Sequence, residues 1–350
     1  MTEKNKGERR EVQRIRVEAD VAGMRLDRFI REQLPGVPMG AIQRFLRTGQ
    51  VRVNGGRVKG HRRLETGEEV RLPPVHLEPL PDTRPRGLPK GVLQKLEAGI
   101  IYRDPHLLVL NKPAGLPVHG GSGQPWGVVD GLREIFANES GAGQPELVHR
   151  LDKGTSGCLL FGLDRPTVRA LAESFREGRI KKEYLTLIRG HLKPGQGRID
   201  LNLVKGVTRS GERMVVAGEE GSSAQTRYRV VKRFADSSLV AVGLDTGRTH
   251  QIRVHFQWLK HPLAGDSKYG DRDFNRSLRE LGLKRIFLHA GRLSFTHPIL
   301  KTSIQVEAPL DAPLQKVLEA LSNRENSCSI SGNCDMPVRK NRSGSRRKRS

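Results

Sequence analysis

Hydrophobic residues change their spacing several times along the chain, and each change marks an element. Val12, Ile15 and Val17 outline a short strand; Leu26, Phe29, Ile30 and Leu34 then recur three and four apart, as on one face of a helix. Pro35-Gly-Val-Pro38 breaks that helix. A second carries Ile42, Phe45 and Leu46 inward and Arg44 and Arg47 outward, ending at Gly49. Val51 to Val58 reads as a hairpin turning at Asn54-Gly55, because that pair accepts the left-handed backbone of a two-residue turn. A turn at Thr66-Gly67-Glu68 leads into a strand at Val70-Arg-Leu72. Residues 73–89 carry prolines too often for a helix or an inner strand and read as an extended linker.

Beyond the linker, Ile100 to Pro105 and Leu107 to Leu110 predict two buried strands joined at Asp104-Pro-His106. Val128, Val129, Leu132, Ile135 and Phe136 predict a helix, and Asp164 or Thr167 caps another that turns Val168, Leu171, Ala172 and Phe175 inward. Residues 181–188 alternate as a strand, with Lys182, Tyr184, Thr186 and Ile188 on one face and Glu183, Leu185 and Leu187 on the other. A basic hairpin region at 197–222 precedes strands at 227–231, 239–244, 286–295 and 301–306. Pro313 opens a last helix bearing Leu314, Val317, Leu318 and Leu321, and a polar tail follows Ser322. The expected organisation is a disordered start (1–11), a small basic module (12–72), the linker (73–95), a large domain (96–322) and a disordered basic tail (323–350).

Charge narrows the partner. The 62 Lys and Arg against 38 Asp and Glu leave a net charge of +24, suited to a polyanion whose counterions are released on binding. Aromatics make up only 5 % of the residues, which argues against a broad base-stacking surface and for phosphate contact and shape. The three cysteines, Cys158, Cys328 and Cys334, are too few and scattered for a disulfide framework or a zinc site. No apolar run reaches membrane-spanning length, and no signal-peptide core is seen at the start, so a cytoplasmic setting without a membrane partner is expected.

Two stretches carry chemistry. In Glu146 to Phe161, apolar Leu147-Val148 and Cys158 to Phe161 flank a loop holding His149, Arg150, Asp152, Lys153, Gly154, Thr155, Ser156 and Gly157. A carboxylate between two strand ends with cations beside it suits an ionised catalytic group, though an Asp that only bonds nearby amides would look the same. The second stretch, Asp245 to Phe256, reads as a strand with Gln251, Arg253 and His255 on one face and His250, Ile252 and Val254 on the other. Its histidines then oppose each other and make a poor metal pair. Arg253, a permanent charge in mid-strand, needs an acidic or phosphate partner if buried; an exposed edge arginine is the alternative. The glycine-rich loop at 111–123 lacks the ending of a nucleotide-binding loop and reads as structural.

Two resemblances add to this. The pattern "R-L-D-R-F-I … G-A-I-Q-R-F-L-R-T-G-Q-V-R-V-N-G" resembles the small RNA-binding domain first described in a ribosomal small-subunit protein, and implies RNA contact through Arg44, Arg47 and Arg52. The elements "N-K-P-A-G-L-P-V-H", "H-R-L-D-K-G-T-S-G", "K-E-Y", "G-R-T-H-Q-I-R-V-H", "H-P-L-A-G-D-S-K-Y-G" and "L-H-A", in that order over about residues 100–310, are similar to pseudouridine synthases of the RluA type. That likeness implies an α+β fold: a mixed, largely antiparallel sheet with a central RNA-binding cleft, beside the small N-terminal α/β RNA-binding module. It implies a monomeric enzyme that isomerises uridines of ribosomal RNA, expected to be that of the large subunit. As an isomerisation without net redox or hydrolysis, the reaction needs no metal or organic cofactor. By the same likeness Asp152 starts the reaction, Arg253 pairs with it and keeps it ionised, and Tyr184 stacks on the flipped base. Leu288 walls the base, Arg150 contacts RNA, and His149 structures the loop. The rival readings are a ribosome-assembly factor that binds RNA without chemistry, and an RNA hydrolase using Asp152 with His149 or His255.

Overall fold

Leu26, Phe29, Ile30 and Leu34 do share one buried helix face, and the first unit is built on it. The computed structural model describes residues 8–19, 21–77, 88–120, 124–137, 139, 143–207 and 213–331, and the chain divides into two units, 1–86 and 87–350. Residues 1–7, the later part of the linker at 78–87 and the tail at 332–350, with Cys334, lie outside the described residues.

The first unit comprises β1 (Glu8–Arg10), β2 (Gln13–Arg16), α1 (Leu26–Gln33), α2 (Met39–Arg47), β3 (Arg52–Val53), β4 (Glu69–Leu72) and β5 (Val75–Leu77). The two helices share one core with the three-stranded sheet β2-β4-β3, in which Ile42, Val51, Val53, Val70 and Leu72 are buried. β1 and β5 pair antiparallel, within stretches expected to be a disordered start and a linker. The expected hairpin at 51–58 is reduced to its turn. Asn54 and Gly55 have φ of 48° and 77°, as such a turn requires, but pairing stops at one bridge between Val53 and Gly56, and β3 pairs with β4 instead. The reason lies at the start of α1: the N–H groups of Leu26 and Asp27 donate to the carbonyls of Arg62 and Gly60, which draws the chain after Gly56 away from β3. Arg44, Arg47 and Arg52 are exposed.

The second unit comprises α3 (Lys90–Ala98), β6 (Ile100–Arg103), β7 (Leu107–Lys112), α4 (Val128–Phe136), β8 (Glu146–Leu147), β9 (Ser156–Gly162), α5 (Arg165–Arg176), β10 (Lys181–Arg189), β11 (Gln196–Val207), β12 (Arg213–Ala217), β13 (Ser222–Phe234), β14 (Ser237–Leu244), α6 (Gln251–Trp258), α7 (Arg272–Glu280), β15 (Leu288–Thr296), β16 (Ser303–Glu307) and α8 (Ala312–Ser331). Its main sheet runs β12-β11-β13-β14-β10-β15-β9-β7-β6, with β16 beside β15 and β8 beside β9. Pairing is antiparallel except between β9 and β15 among the described residues. Alternation along the strands sends Tyr184, Ile188, Val240 and Val242 into a core with α4 and α6, and Leu187 and Leu239 into another with α7 and α8. Each fully buried aliphatic side chain contributes about 1.5–3 kcal/mol relative to exposure.

Three expectations need correction. Helix α3 occupies part of the stretch read as linker; Leu96 is buried on it, and the Leu88 amide donates to Glu134 of α4 at 3.0 Å. Helix α8 runs nine residues past Ser322 rather than giving way to a tail there. The stretch read as a strand at 245–256 is a loop followed by α6. Ile252, Val254 and Phe256 alternate as in a strand, but Gln251 and His255 are buried too. A helix enclosed on most sides shows no useful period, and its surroundings decide its conformation.

Candidate active site

Asp152 sits in the loop between β8 and β9, and that loop is clamped from three directions. Its own turn closes where the Thr155 amide donates to the Asp152 carbonyl at 3.0 Å. The Lys153 carbonyl accepts from the Gly115 amide at 2.8 Å and from the Lys112 ammonium at 3.3 Å. Lys112, fully buried, also donates to the carbonyls of Pro113 and Leu116, and burial pushes its ammonium down to about 7. Behind the loop, Arg285 donates to Ser156 Oγ at 2.9 Å and to both oxygens of Asp311, while Ser156 meets His289 Nδ1 at 2.9 Å. Gly157 allows the close approach of β15. Its φ is +105°, and a Cβ there would stand 2.2 Å from the Ala290 carbonyl oxygen.

The helix α6 brings the second set of groups. Gln251 staples its first turn: its side-chain oxygen accepts from Thr246 Oγ1 and the Arg248 amide, and its amide donates to the Gln225 carbonyl and Thr226 Oγ1. His250, at φ 55°, and Arg253 lie three apart and face the same way. Arg253 Nη1 stands 3.7 Å and His250 Nε2 3.8 Å from Asp152 Oδ2. The expected pairing of Arg253 with Asp152 is therefore present but secondary. Its fork is held by Asp266, with Nε at 2.7 Å from Oδ2 and Nη2 at 2.8 Å from Oδ1, and its guanidinium lies 4.8 Å over the Tyr269 ring. Burial works against the charge on Asp266, whose side chain is fully enclosed. Hydrogen bonds from Arg253 and from the Tyr269 and Lys268 amides outweigh it and hold the carboxyl below its usual range. Tyr269 Oη accepts the Val215 N–H at 3.0 Å and lies 2.9 Å from His250 Nδ1, within hydrogen-bond distance. Burial pulls the His250 imidazole below its ordinary value, and the nearby Asp152 charge opposes that shift.

A cavity of about 540 Å³ opens on this group. Asp152, Arg253, Tyr184, Leu288 and Arg150 all line it, so the five residues expected in the large domain share one cleft. Arg44, Arg47 and Arg52 belong to the other unit. Tyr184 is almost buried, and burial, with the Asp152 charge adding, raises its hydroxyl above the usual phenol value. His149 is a structural residue: its Nε2 accepts the Leu160 N–H at 3.1 Å, its ring stacks on Phe175 at 4.6 Å, and burial pulls it down to about 3. Sequence reasoning missed His250, Asp266, Tyr269 and Lys182, all near or in the cleft. Reading 250–258 as a helix would have paired His250 with Arg253; Asp266 and Tyr269 stood inside the motif "H-P-L-A-G-D-S-K-Y-G", but nothing in the sequence paired them with α6. Among the described residues no group of three or more His, Cys, Asp or Glu could hold a metal ion, and no helix is long and apolar enough to cross a membrane.

Known proteins resemble this chain over most of its length. Residues 106–258 match the family model described as RNA pseudouridylate synthase, and residues 24–70 match the S4 domain. The chain is 46% identical over 315 residues to the ribosomal large subunit pseudouridine synthase C of Salmonella typhi, covering 89% of this chain and 97% of that protein. It is 46% identical over 314 residues to the protein of that name from Escherichia coli K12, covering 88% and 96%. Among solved structures, human RNA pseudouridylate synthase domain containing 4 superposes with a TM-score of 0.56 at 28% identity, over 66% of this chain and 96% of that one. With a clamped carboxylate, its cations and an aromatic wall in one cleft, and relatives of such identity over nearly their whole length, this chain belongs to the RNA pseudouridylate synthase family.

Proposed function

We propose that this chain isomerises specific uridines of large-subunit ribosomal RNA to pseudouridine, with Asp152 as the carboxylate that starts the reaction. The observation that carries the reading is the Asp152 side chain at the cleft wall, with Arg253 and His250 within 4 Å and Tyr184 and Leu288 lining the same space. In the reaction the C1′–N1 bond breaks, the uracil turns, and C1′ bonds to C5; a proton leaves C5 and N1 ends protonated, so the atoms balance with no outside reagent. Attack on C1′, removal of a ribose proton and addition to C6 all begin at one carboxylate oxygen. The base must first leave its stack, at a cost of roughly a few kcal/mol that contacts in the cleft offset. Leu288 and Tyr184 offer the base its walls, and Arg150, exposed at the mouth, meets phosphate. Tyr184 serves first as an aromatic surface, because taking the C5 proton asks the phenol to give up a proton that burial holds on it. The S4 match at 24–70 supports RNA contact by Arg44, Arg47 and Arg52.

The test is incubation of the full chain with unmodified, C5-tritiated large-subunit ribosomal RNA, followed by release counting and pseudouridine mapping. Wild type releases tritium at discrete sites; Asp152→Asn binds the RNA as tightly and releases none above background. Normal release by the variant removes Asp152 from the mechanism, and binding without new pseudouridine by wild type leaves an RNA-binding assembly factor.

A further inference from the structure

The Asp152–Arg253 pair has a second side. Behind it lies another cavity of about 350 Å³, which shares Asp152, Thr155 and Arg253 with the cleft and continues to Asp266, Arg279, Lys284 and Arg285. Four cations and two carboxylates line it, an excess of positive charge. Two of the cations are committed, Arg253 to Asp266 and Arg285 to Asp311 and Ser156. Arg279, on α7, and Lys284, just before β15, are exposed, and among the described residues their side chains have neither a carboxylate partner nor a hydrogen bond. The cavity floor is built rather than incidental. Asn275 of α7 accepts the Gly265 amide at 2.7 Å and donates to the Asp266 carbonyl at 2.9 Å, so α7 and the loop carrying Asp266 are joined directly under the two free cations.

We infer that this cavity takes a backbone phosphate of the RNA strand next to the uridine being modified, held by Arg279 and Lys284. The inference rests on the proposed function for which nucleotide occupies the cleft. If the ribose of that nucleotide meets Asp152, its two phosphates leave on opposite sides of the sugar ring. One then runs along the cleft, and the other crosses Asp152 toward the second cavity. A phosphate there meets two exposed cations that no carboxylate among the described residues neutralises, and the strand is gripped on both sides of the reacting carbon. Such a grip orients C1′ as well as adding affinity. The fork of Arg279 suits two phosphate oxygens, and Lys284 adds a point charge.

The experiment uses the full chain and a synthetic RNA hairpin spanning the mapped uridine, with binding read by filter retention over a salt series. Arg279→Gln/Lys284→Gln is expected to weaken binding about tenfold or more at low salt and to reduce the slope of log affinity against log salt by roughly one to two. Lys316→Gln/Arg324→Gln, two exposed cations on α8, is the control for loss of bulk charge. Hairpins with a single neutral methylphosphonate at each linkage around the uridine then locate the contact. Wild type loses affinity at one flanking linkage, and the Arg279/Lys284 variant shows no further loss at that linkage. Equal effects of the control pair, or losses from variant and neutral linkage that add at every position, overturn the inference. Because binding and not pseudouridine formation is read, failure of the proposed chemistry does not mimic either result.

Discussion

Asp266 shows how much of a candidate site depends on a residue that does not line the cleft. It takes two of the three nitrogens of Arg253 and leaves the third, Nη1, 3.7 Å from Asp152. That separation lies within reach of Coulomb attraction but beyond a hydrogen bond, so the Asp152 oxygens stay open to a substrate. Without its acidic partner the guanidinium is free to swing onto Asp152 and occupy it. Asp266→Asn is therefore expected to cut kcat by about a hundredfold, the size of effect a misplacement of roughly 1 Å produces, with RNA affinity nearly kept. Single-turnover rates beside equilibrium binding separate the two, and a loss confined to affinity would show that Asp266 does not position Arg253.

At the next scale, the β8–loop–β9 unit is held to α5 through His149, which accepts the Leu160 N–H and stacks on Phe175. Burial holds this imidazole near a pKa of about 3, below the ordinary value of 6.5. Between those values the unfolded chain binds a proton that the folded chain refuses. Folding stability tied to His149 is thus complete above pH 6.5 and is lost progressively as pH falls toward 3. His149→Gln can still accept the Leu160 N–H but loses the stacking, worth about 0.5–1.5 kcal/mol. Thermal melts from pH 8 to pH 4 should show the variant less stable at neutral pH and less sensitive to acid. Parallel curves for variant and wild type would mean that His149 is not the group being protonated.

For the whole molecule, a net charge of +24 suggests that many surfaces add affinity for RNA without adding selectivity. The first unit exposes Arg44 and Arg47 on α2, and Arg52, whose guanidinium also donates to the carbonyls of Gly49 and Gly55. Arg44→Gln/Arg47→Gln in the full chain should weaken ribosomal RNA binding and lower the salt slope by roughly one to two. It should also spread pseudouridine over more sites at limiting enzyme if this unit selects the target. Mapping that finds the same sites at the same relative yields would deprive the unit of a targeting role.

The chain by itself determined most of the elements, because strand alternation and helix spacing follow from which residues avoid water. Tyr184 and Leu187 fell on opposite faces of β10 as their spacing required, and Asp164 capped α5 by accepting the Thr167 amide. It also marked Asp152, Tyr184, Arg253, Arg150 and Leu288, through motifs that a family resemblance could interpret. Where a helix is buried on most sides and its polar residues are buried too, as in α6, spacing carries no information and the strand reading failed. Where partners come from distant segments, spacing is silent. Asp266 on Arg253, Tyr269 on His250 and Arg285 behind Ser156 join residues 13, 19 and 129 positions apart, contacts that only the folded chain makes. Asp152 could be singled out because the cations and glycines beside it are local in sequence; the distance at which Arg253 stands from it was decided by tertiary structure, because it depends on which of two acids the arginine grips.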